Sequence, residues 1–386
     1  MLTLGFQSVS SQSFIPAYQT RAHQVSQSNI VSNLQDFANL GVKTTGSVAN
    51  ANTLNWIKNK YLSYGYSASQ IVEDPFSYTS GGNTINSKNL VITKTGTLYP
   101  NKYVIVCGHF DSIIGPGVND NGSGTSIILE AARILKDVPT EYSIKFIHFS
   151  GEEQGLKGSL HYANNIAYNG SNRVLDIKLV FNLDQVGGKM GNNNNTVYCD
   201  QDLGGNPNNN AASAIVTQEL ITCTQLYSPL QTAIDPAEST DYIPFELKGE
   251  VITGYFERIR SNYPHTVNDT FANTDPVYIF NIGKASVGAI QHFAVASSTL
   301  GLNEVKNGKL ESTNIFPNPI KDILNIDIPE SEKSNFKFEL TDLSGRVLLQ
   351  KNNQTKIDIS EIANGAYLGI ISTETEKIVR KILIEK

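Results

Sequence analysis

Residues 103–153 read YVIVCGHFDSIIGPGVNDNGSGTSIILEAARILKDVPTEYSIKFIHFSGEE, and the order of patterns within them decides the fold. Residues 103–107 are an apolar, β-branched run that suits a buried strand, and it ends on Gly108-His109-Phe110-Asp111. Asn119-Asp120-Asn121-Gly122-Ser123-Gly124 then makes a turn. Over 125–138, Ile127, Ile128, Ala131, Ile134, Leu135 and Val138 recur at helical spacing. Residues 143–150 are strand-like again and end on Gly151-Glu152-Glu153. Strand, helix and strand in this order predict an α/β sheet with helices on both faces.

The pattern extends in both directions. Upstream, 25–40 and 50–64 have helical spacing, and 70–78 and 89–94 are strand-like. Downstream, 156–165 reads as helix and 177–183 as strand, with further helices over 211–226 and 276–296. The asparagine-rich stretches 191–195 and 204–210 read as exposed loops. From 315 onward only short strand patterns occur, over 323–328, 336–343, 346–350, 355–359, 366–372 and 377–384. Turn pairs such as Ser344-Gly345 and Asn364-Gly365 separate them, as in a small all-β sandwich. The chain therefore divides into a large α/β domain over 21–297, a linker over 298–313 and a β-sandwich over 314–386. Residues 1–20 read either as the remnant of a signal peptide or as a disordered N-terminus, since MLTLGFQSVSSQ lacks a basic start and a full apolar stretch.

A chain of 386 residues with 40% hydrophobic and 17% charged content suits one large domain and a small one. A net charge of -6 argues against a nucleic-acid partner, which needs a basic face. No apolar run approaches ~20 residues, so no transmembrane segment is expected. Of three cysteines, Cys107 sits in the apolar strand and reads as a buried free thiol, while pairing of Cys199 with Cys223 is left open.

Chemistry-bearing residues gather where strands end. His109, Glu152, Glu153 and Asp184 each follow a strand, Asp120 precedes a helix, and His265 lies in Tyr263-Pro264-His265-Thr266. In an open α/β sheet, ligands collect at that edge. Alone, each residue has an ordinary structural reading. Glu152-Glu153 suits a solvated helix start, Asp184 a turn or cap, and the glycines around Asp120 a tight turn. His148 and His161 read as structural histidines. Together, in order, the carboxylates would repel one another unless cations offset them. Imidazole with carboxylate oxygens, and no thiolate, suits catalytic zinc.

The blocks GHFDS, GVNDNGSG, FSGEEQGLKGS, FNLDQVG and YPHTVNDT resemble those of the co-catalytic di-zinc aminopeptidases, peptidase family M28, over about 90–270. The resemblance implies a three-layer α/β/α sandwich with a mixed central sheet, and two zinc ions. His109 and Asp184 would bind one ion, Glu153 and His265 the other, and Asp120 would bridge them. Asp111 would orient His109, and Glu152 would be the general base that activates water and protonates the leaving amine. A cis peptide bond after Asp120 is also implied, as is a peptide substrate with a free N-terminus. One departure is Tyr242 in Ser239-Thr240-Asp241-Tyr242, where family members often carry histidine. Tyr242, Tyr255 and Tyr263 are possible hydrogen-bond donors to a transition state, or else buried structural tyrosines.

Other readings stay open. A zinc carboxypeptidase or dipeptidase would need a cationic group such as Arg258 or Arg260. A glutaminyl cyclase would use one zinc, and a metal-free surface-binding protein would use none. The tail is similar to the sorting domain of the type IX secretion system, through Ile315-Phe316-Pro317-Asn318-Pro319, Leu343-Ser344-Gly345-Arg346, Ile362, Asn364-Gly365-Ala366-Tyr367 and the basic end. That similarity implies the secretion machinery as a partner, and a secreted or cell-surface enzyme exported across an outer membrane.

Overall fold

The computed structural model describes residues 12–299, 310, 313–342, 347–373 and 377–386. The chain forms two compact units, split between Thr299 and Leu300. The first opens with helices α1 (Pro16–Ala22), α2 (Gln27–Asn39) and α3 (Val48–Ser63). Strands β1 (Ile71–Ser80), β2 (Asn83–Lys94) and β3 (Tyr99–His109) follow, then α4 (Gly124–Leu135) and β4 (Tyr142–Phe149). Helix α5 (Lys157–Tyr162), the short pair β5 (Tyr168–Asn169) and β6 (Asn172–Arg173), and β7 (Asp176–Leu183) come next. The unit ends with β8 (Thr196–Gln201), α6 (Asn210–Tyr227), β9 (Gln231–Pro236), α7 (Ile243–Glu246), β10 (Ile252–Glu257) and α8 (Pro276–Phe293).

Eight strands form one mixed sheet in the order β1-β2-β4-β3-β7-β10-β8-β9. Its centre, β4-β3-β7-β10, is parallel throughout. Both faces are buried, as a parallel centre requires. Val104, Val106, Ile144, Phe146, Leu179 and Phe181 face one apolar core, shared with α4 and α8. Ile105, Cys107, Ile147, Phe149 and Val180 face the other, shared with Tyr162 of α5 and Phe245 of α7. This is the three-layer α/β/α arrangement with a mixed sheet.

Several elements differ from the sequence reading. Residues 16–20 of the 1–20 segment belong to the packed helix α1, and residues 1–11 lie outside the described residues. Ala17, Tyr18 and Ala22 of α1 are buried, and the Tyr18 hydroxyl donates to the Ala296 carbonyl. The reading passed over β8, β9 and β10. Residues 156–165 are only half regular, because α5 gives way to a wider π turn at Ala163–Ala167. Helix α8 ends at Phe293, not at 296. Its start is well signalled, since the Asp275 carboxylate accepts from the Val277 and Tyr278 amides ahead of Pro276. Cys107, Cys199 and Cys223 are all buried free thiols, so the open Cys199–Cys223 pair is not joined.

The second unit has two small antiparallel sheets. One contains β11 (Asn314–Phe316), β12 (Ile323–Asp327) and β15 (Lys356–Asp358). The other contains β13 (Lys337–Thr341), β14 (Val347–Asn352), β16 (Gly365–Ser372) and β17 (Lys377–Ile384). Leu324 and Ile326 meet Phe338, Leu340, Ile371 and Ile382 in one core, so the alternation within each strand builds a sandwich. Most of the 298–313 linker and the Leu343-Ser344-Gly345-Arg346 motif lie outside the described residues.

Phe181 is fully buried between the rings of Tyr255 and Phe293. Phe181→Ala should cost about 3–5 kcal/mol of stability, read from the denaturant midpoint of the purified protein.

Candidate functional site

Parallel pairing brings the C-terminal ends of four strands to one edge. His109 closes β3 and pairs with Phe149, the last residue of β4. Gly151-Glu152-Glu153 begins two residues later. Cys107 pairs with Asn182 of β7, two residues before Asp184. Leu183 in turn pairs with Tyr255 of β10, two residues before Glu257. The loop after β10 carries His265 back over this edge.

All seven residues singled out in the sequence meet here. Two clusters could each hold a cation, His109–Asp120–Asp184 and Asp120–Glu153–His265, with ligand atoms within 4.8 Å of one another in each. Asp120 belongs to both. Its Oδ1 lies 3.2 Å from His109 Nε2, and its Oδ2 lies 3.1 Å from His265 Nε2. Asp184 Oδ1 is 3.4 Å from His109 Nε2, and Glu153 Oε2 is 2.9 Å from His265 Nε2. Glu152 stands at the rim with Oε2 3.9 Å from His109 Nε2. The bond between Asp120 and Asn121 is cis.

Further contacts hold these groups in place. His109 Nδ1 donates to the Asp111 carbonyl at 3.2 Å, which leaves the Nε2 lone pair aimed into the cluster. The Asp111 carboxylate, whose Oδ1 is 3.7 Å from that nitrogen, accepts from the Glu152 and Glu153 amides at 3.2 and 3.3 Å. It also accepts from Thr45 Oγ1. One buried carboxylate thus fixes the β3 end and the glutamate turn together. The Thr240 hydroxyl donates to Asp184 Oδ2 at 2.6 Å. Asp269 accepts from the amides of Asn119 and Asp120 at 2.7 and 3.0 Å, and the buried Glu257 carboxylate accepts from Asn119 Nδ2. Sequence reasoning gave no role to Thr45, Thr240, Glu257 or Asp269. Asp269 lies inside the YPHTVNDT block, four residues from His265, and that nearness was its visible signal.

The electrostatics describe a site built for positive charge. Burial pushes the Glu152 carboxyl up to about 10, with the charges of Asp184, Asp241 and Asp111 adding to it. Burial and the Asp120 charge push Glu153 up to about 8. For Asp120 burial also pushes upward, but the neighbouring imidazoles of His109 and His265 hold it at about 2. With protons as the only cations, two carboxyls would stay protonated near neutral pH. The buried His109 Nε2 and Asp184 Oδ1 have no hydrogen-bond partner, and both point into the first cluster. An imidazole lone pair and a carboxylate oxygen left open in a buried place fit a divalent metal of the zinc type.

Tyr242, Tyr255, His148 and His161 have partners away from the two clusters. Tyr242 is buried, its hydroxyl donating to Asp200 and accepting from the Glu238 amide. The buried Tyr255 hydroxyl meets Thr224 Oγ1. Tyr263 is half-buried on the His265 loop. His148 meets the Tyr61 hydroxyl, and His161 meets Asp74.

With this geometry in hand, known proteins offer a comparison. Residues 89–290 match peptidase family M28, and residues 314–385 match the secretion system C-terminal sorting domain. An aminopeptidase of Bacillus subtilis (strain 168) is 45% identical over 103 residues, which is 26% of this chain and 22% of that protein. An aminopeptidase of Pseudomonas aeruginosa is 38% identical over 98 residues, 25% of this chain and 18% of that protein. The chain therefore spans about a fifth of the length of these curated relatives. The crystal structure of the LapA aminopeptidase of Legionella pneumophila superposes with a TM-score of 0.63 at 19% identity, covering 78% of this chain and 77% of that one. A zinc aminopeptidase structure from Bacillus subtilis gives 0.59 at 16% identity, covering 71% and 95%. At these identities the likeness is one of fold. No helix among the described residues is long and apolar enough to cross a membrane.

A cation that binds only the folded site stabilises it by mass action, by about 4 kcal/mol at a thousandfold excess over Kd. Thermal melts should therefore shift upward with zinc and downward with a chelator. Asp120→Ala should remove most of that shift, because both clusters lose a donor.

Proposed function

Because the chain belongs to peptidase family M28, we propose that it is an exported two-zinc aminopeptidase. The observation that carries this reading is the pair of clusters sharing Asp120, with the Glu152 carboxylate beside them. One zinc would be held by His109, Asp120 and Asp184, the other by Asp120, Glu153 and His265. When bound, the ions would polarise the scissile carbonyl and acidify the attacking water.

The protein's own groups do the rest. Glu152 is 14% exposed, enough to meet water while staying in a poorly solvated place. There its carboxylate takes a proton from the attacking water and hands it to the leaving amine. Asp111 keeps Glu152 in position through the backbone amide. His109 keeps its Nδ1 proton on the Asp111 carbonyl and never joins the proton transfer.

The acidic rim supports cleavage at a free N-terminus. Glu152 lies at the rim outside the two ligand sets, and its carboxylate would attract an α-ammonium group. A carboxypeptidase would need a free cationic side chain for the substrate's C-terminus. Arg260 is engaged by Asp235 and Glu238. The C-terminal sorting domain supports export by the type IX route, which would place the enzyme outside the outer membrane.

Leucine p-nitroanilide should be hydrolysed and its N-acetylated form spared, with activity lost in chelator and restored by zinc. Cleavage of the acetylated substrate as well would refute an aminopeptidase. Glu152→Gln should keep its metal and lose about 10²–10⁴-fold in kcat. Full turnover in that variant would remove Glu152 from the mechanism.

A further inference from the structure

The two oxygens of Asp120 have different surroundings. Oδ1 meets His109 Nε2 in the closed cluster, where His109 is 1% exposed. Oδ2 meets His265 Nε2 in the open cluster, where His265 is 53% exposed. Each cluster also has its own supports. In the closed one, Thr240 holds Asp184 and the Asp111 carbonyl holds His109. In the open one, Gln185 Nε2 donates to Asp120 Oδ2 at 3.3 Å.

Gln185 reaches Oδ2 by an uncommon route. It directly follows Asp184, and its φ of 45° lies in the left-handed region that a long side chain rarely adopts. The Glu257 amide, donating to the Gln185 carbonyl at 2.9 Å, holds the backbone in that turn. The turn carries the side chain from the residue after a ligand of one cluster to a ligand oxygen of the other. An amide suits this place because it donates a hydrogen bond without adding a positive charge that would repel a cation.

We infer that Gln185 is a positioning residue for metal binding at the Asp120–Glu153–His265 cluster. The inference rests on the two-zinc reading. A carboxylate that would serve two ions must be held at one rotation about its Cβ–Cγ bond, so that each oxygen faces its own cluster. The closed cluster restrains Oδ1 by burial, and the Gln185 hydrogen bond restrains Oδ2 at the open side. Removing a partner that orients a ligand typically costs about 10–100-fold in metal affinity.

The test is a zinc titration of the metal-free, full-length protein against a competing chromophoric chelator. Wild type, Gln185→Leu and Gln185→Gly are compared, and His265→Ala identifies the step that belongs to the open cluster. Both Gln185 variants should weaken that step by about tenfold or more. The other step and the thermal midpoint of the metal-free protein should stay in place. The glycine variant keeps the left-handed turn without a side chain, so a matching loss assigns the effect to the amide. If both steps weaken together with the metal-free stability, Gln185 is merely structural and the inference is overturned. If wild type binds two ions and neither step moves, the inference alone is overturned. If wild type binds a single ion, the two-zinc reading fails, and this inference with it.

Discussion

Everything in the first unit is arranged around mutual repulsion among carboxylates that share one small space. Asp120 offers one oxygen to His109 and the other to His265. Asp184, Glu152 and Glu153 crowd the same edge. In water such groups would spread apart. Here the backbone forbids it, because each is anchored to the end of a strand or to a turn pinned by hydrogen bonds. The charge must then be balanced by bound protons or by cations. That constraint explains why the anchoring is so extensive.

The anchors come from distant parts of the chain. Asp111 ties the end of β3 to the turn after β4. Asp269 and Glu257 tie the loop after β10 to the turn that carries Asp120. The helical N-terminal segment takes part as well, although it lies outside the matched family region. Thr45 reaches Asp111, and Asn50 donates to Ser150, two residues from Glu152. The ammonium group of Lys43 sits over the Phe37 ring and donates to the Gly41 and Pro116 carbonyls. Burial drives its pKa down to about 7, so its place is held by packing and carbonyl oxygens more than by charge. These residues join the first helices to the loop between His109 and Asp120.

Two scales of order meet in the sheet. Alternation along each strand fills both apolar layers, and the parallel register aligns the strand ends to within a residue or two. A one-residue slip in β3 would turn His109 to the other face and move Val104 and Val106 out of their core. Apolar packing therefore sets the geometry of the polar edge, with no need for the charged groups to attract one another.

The sequence alone was enough for the α/β class, for the β-rich tail and for the seven residues that converge. Six of them announce themselves locally, by a polar group directly after an apolar strand or by a glycine-rich turn before a helix, and His265 stood out only through the YPHTVNDT block. It was not enough for β8, β9 and β10. Residues 196–201 and 231–236 are short and partly polar, and their strand character comes from neighbours in the sheet. Nor could it show that 16–22 is a packed helix, since so short a segment is stabilised only by the surface it covers. The supporting contacts of Thr45, Thr240, Gln185, Glu257 and Asp269 belong wholly to the tertiary structure. Each joins residues far apart in the chain, and a hydrogen bond across such a distance leaves no periodic trace in the sequence. What the residues could do was written in their order; which oxygen faces which nitrogen was decided only when the strands paired.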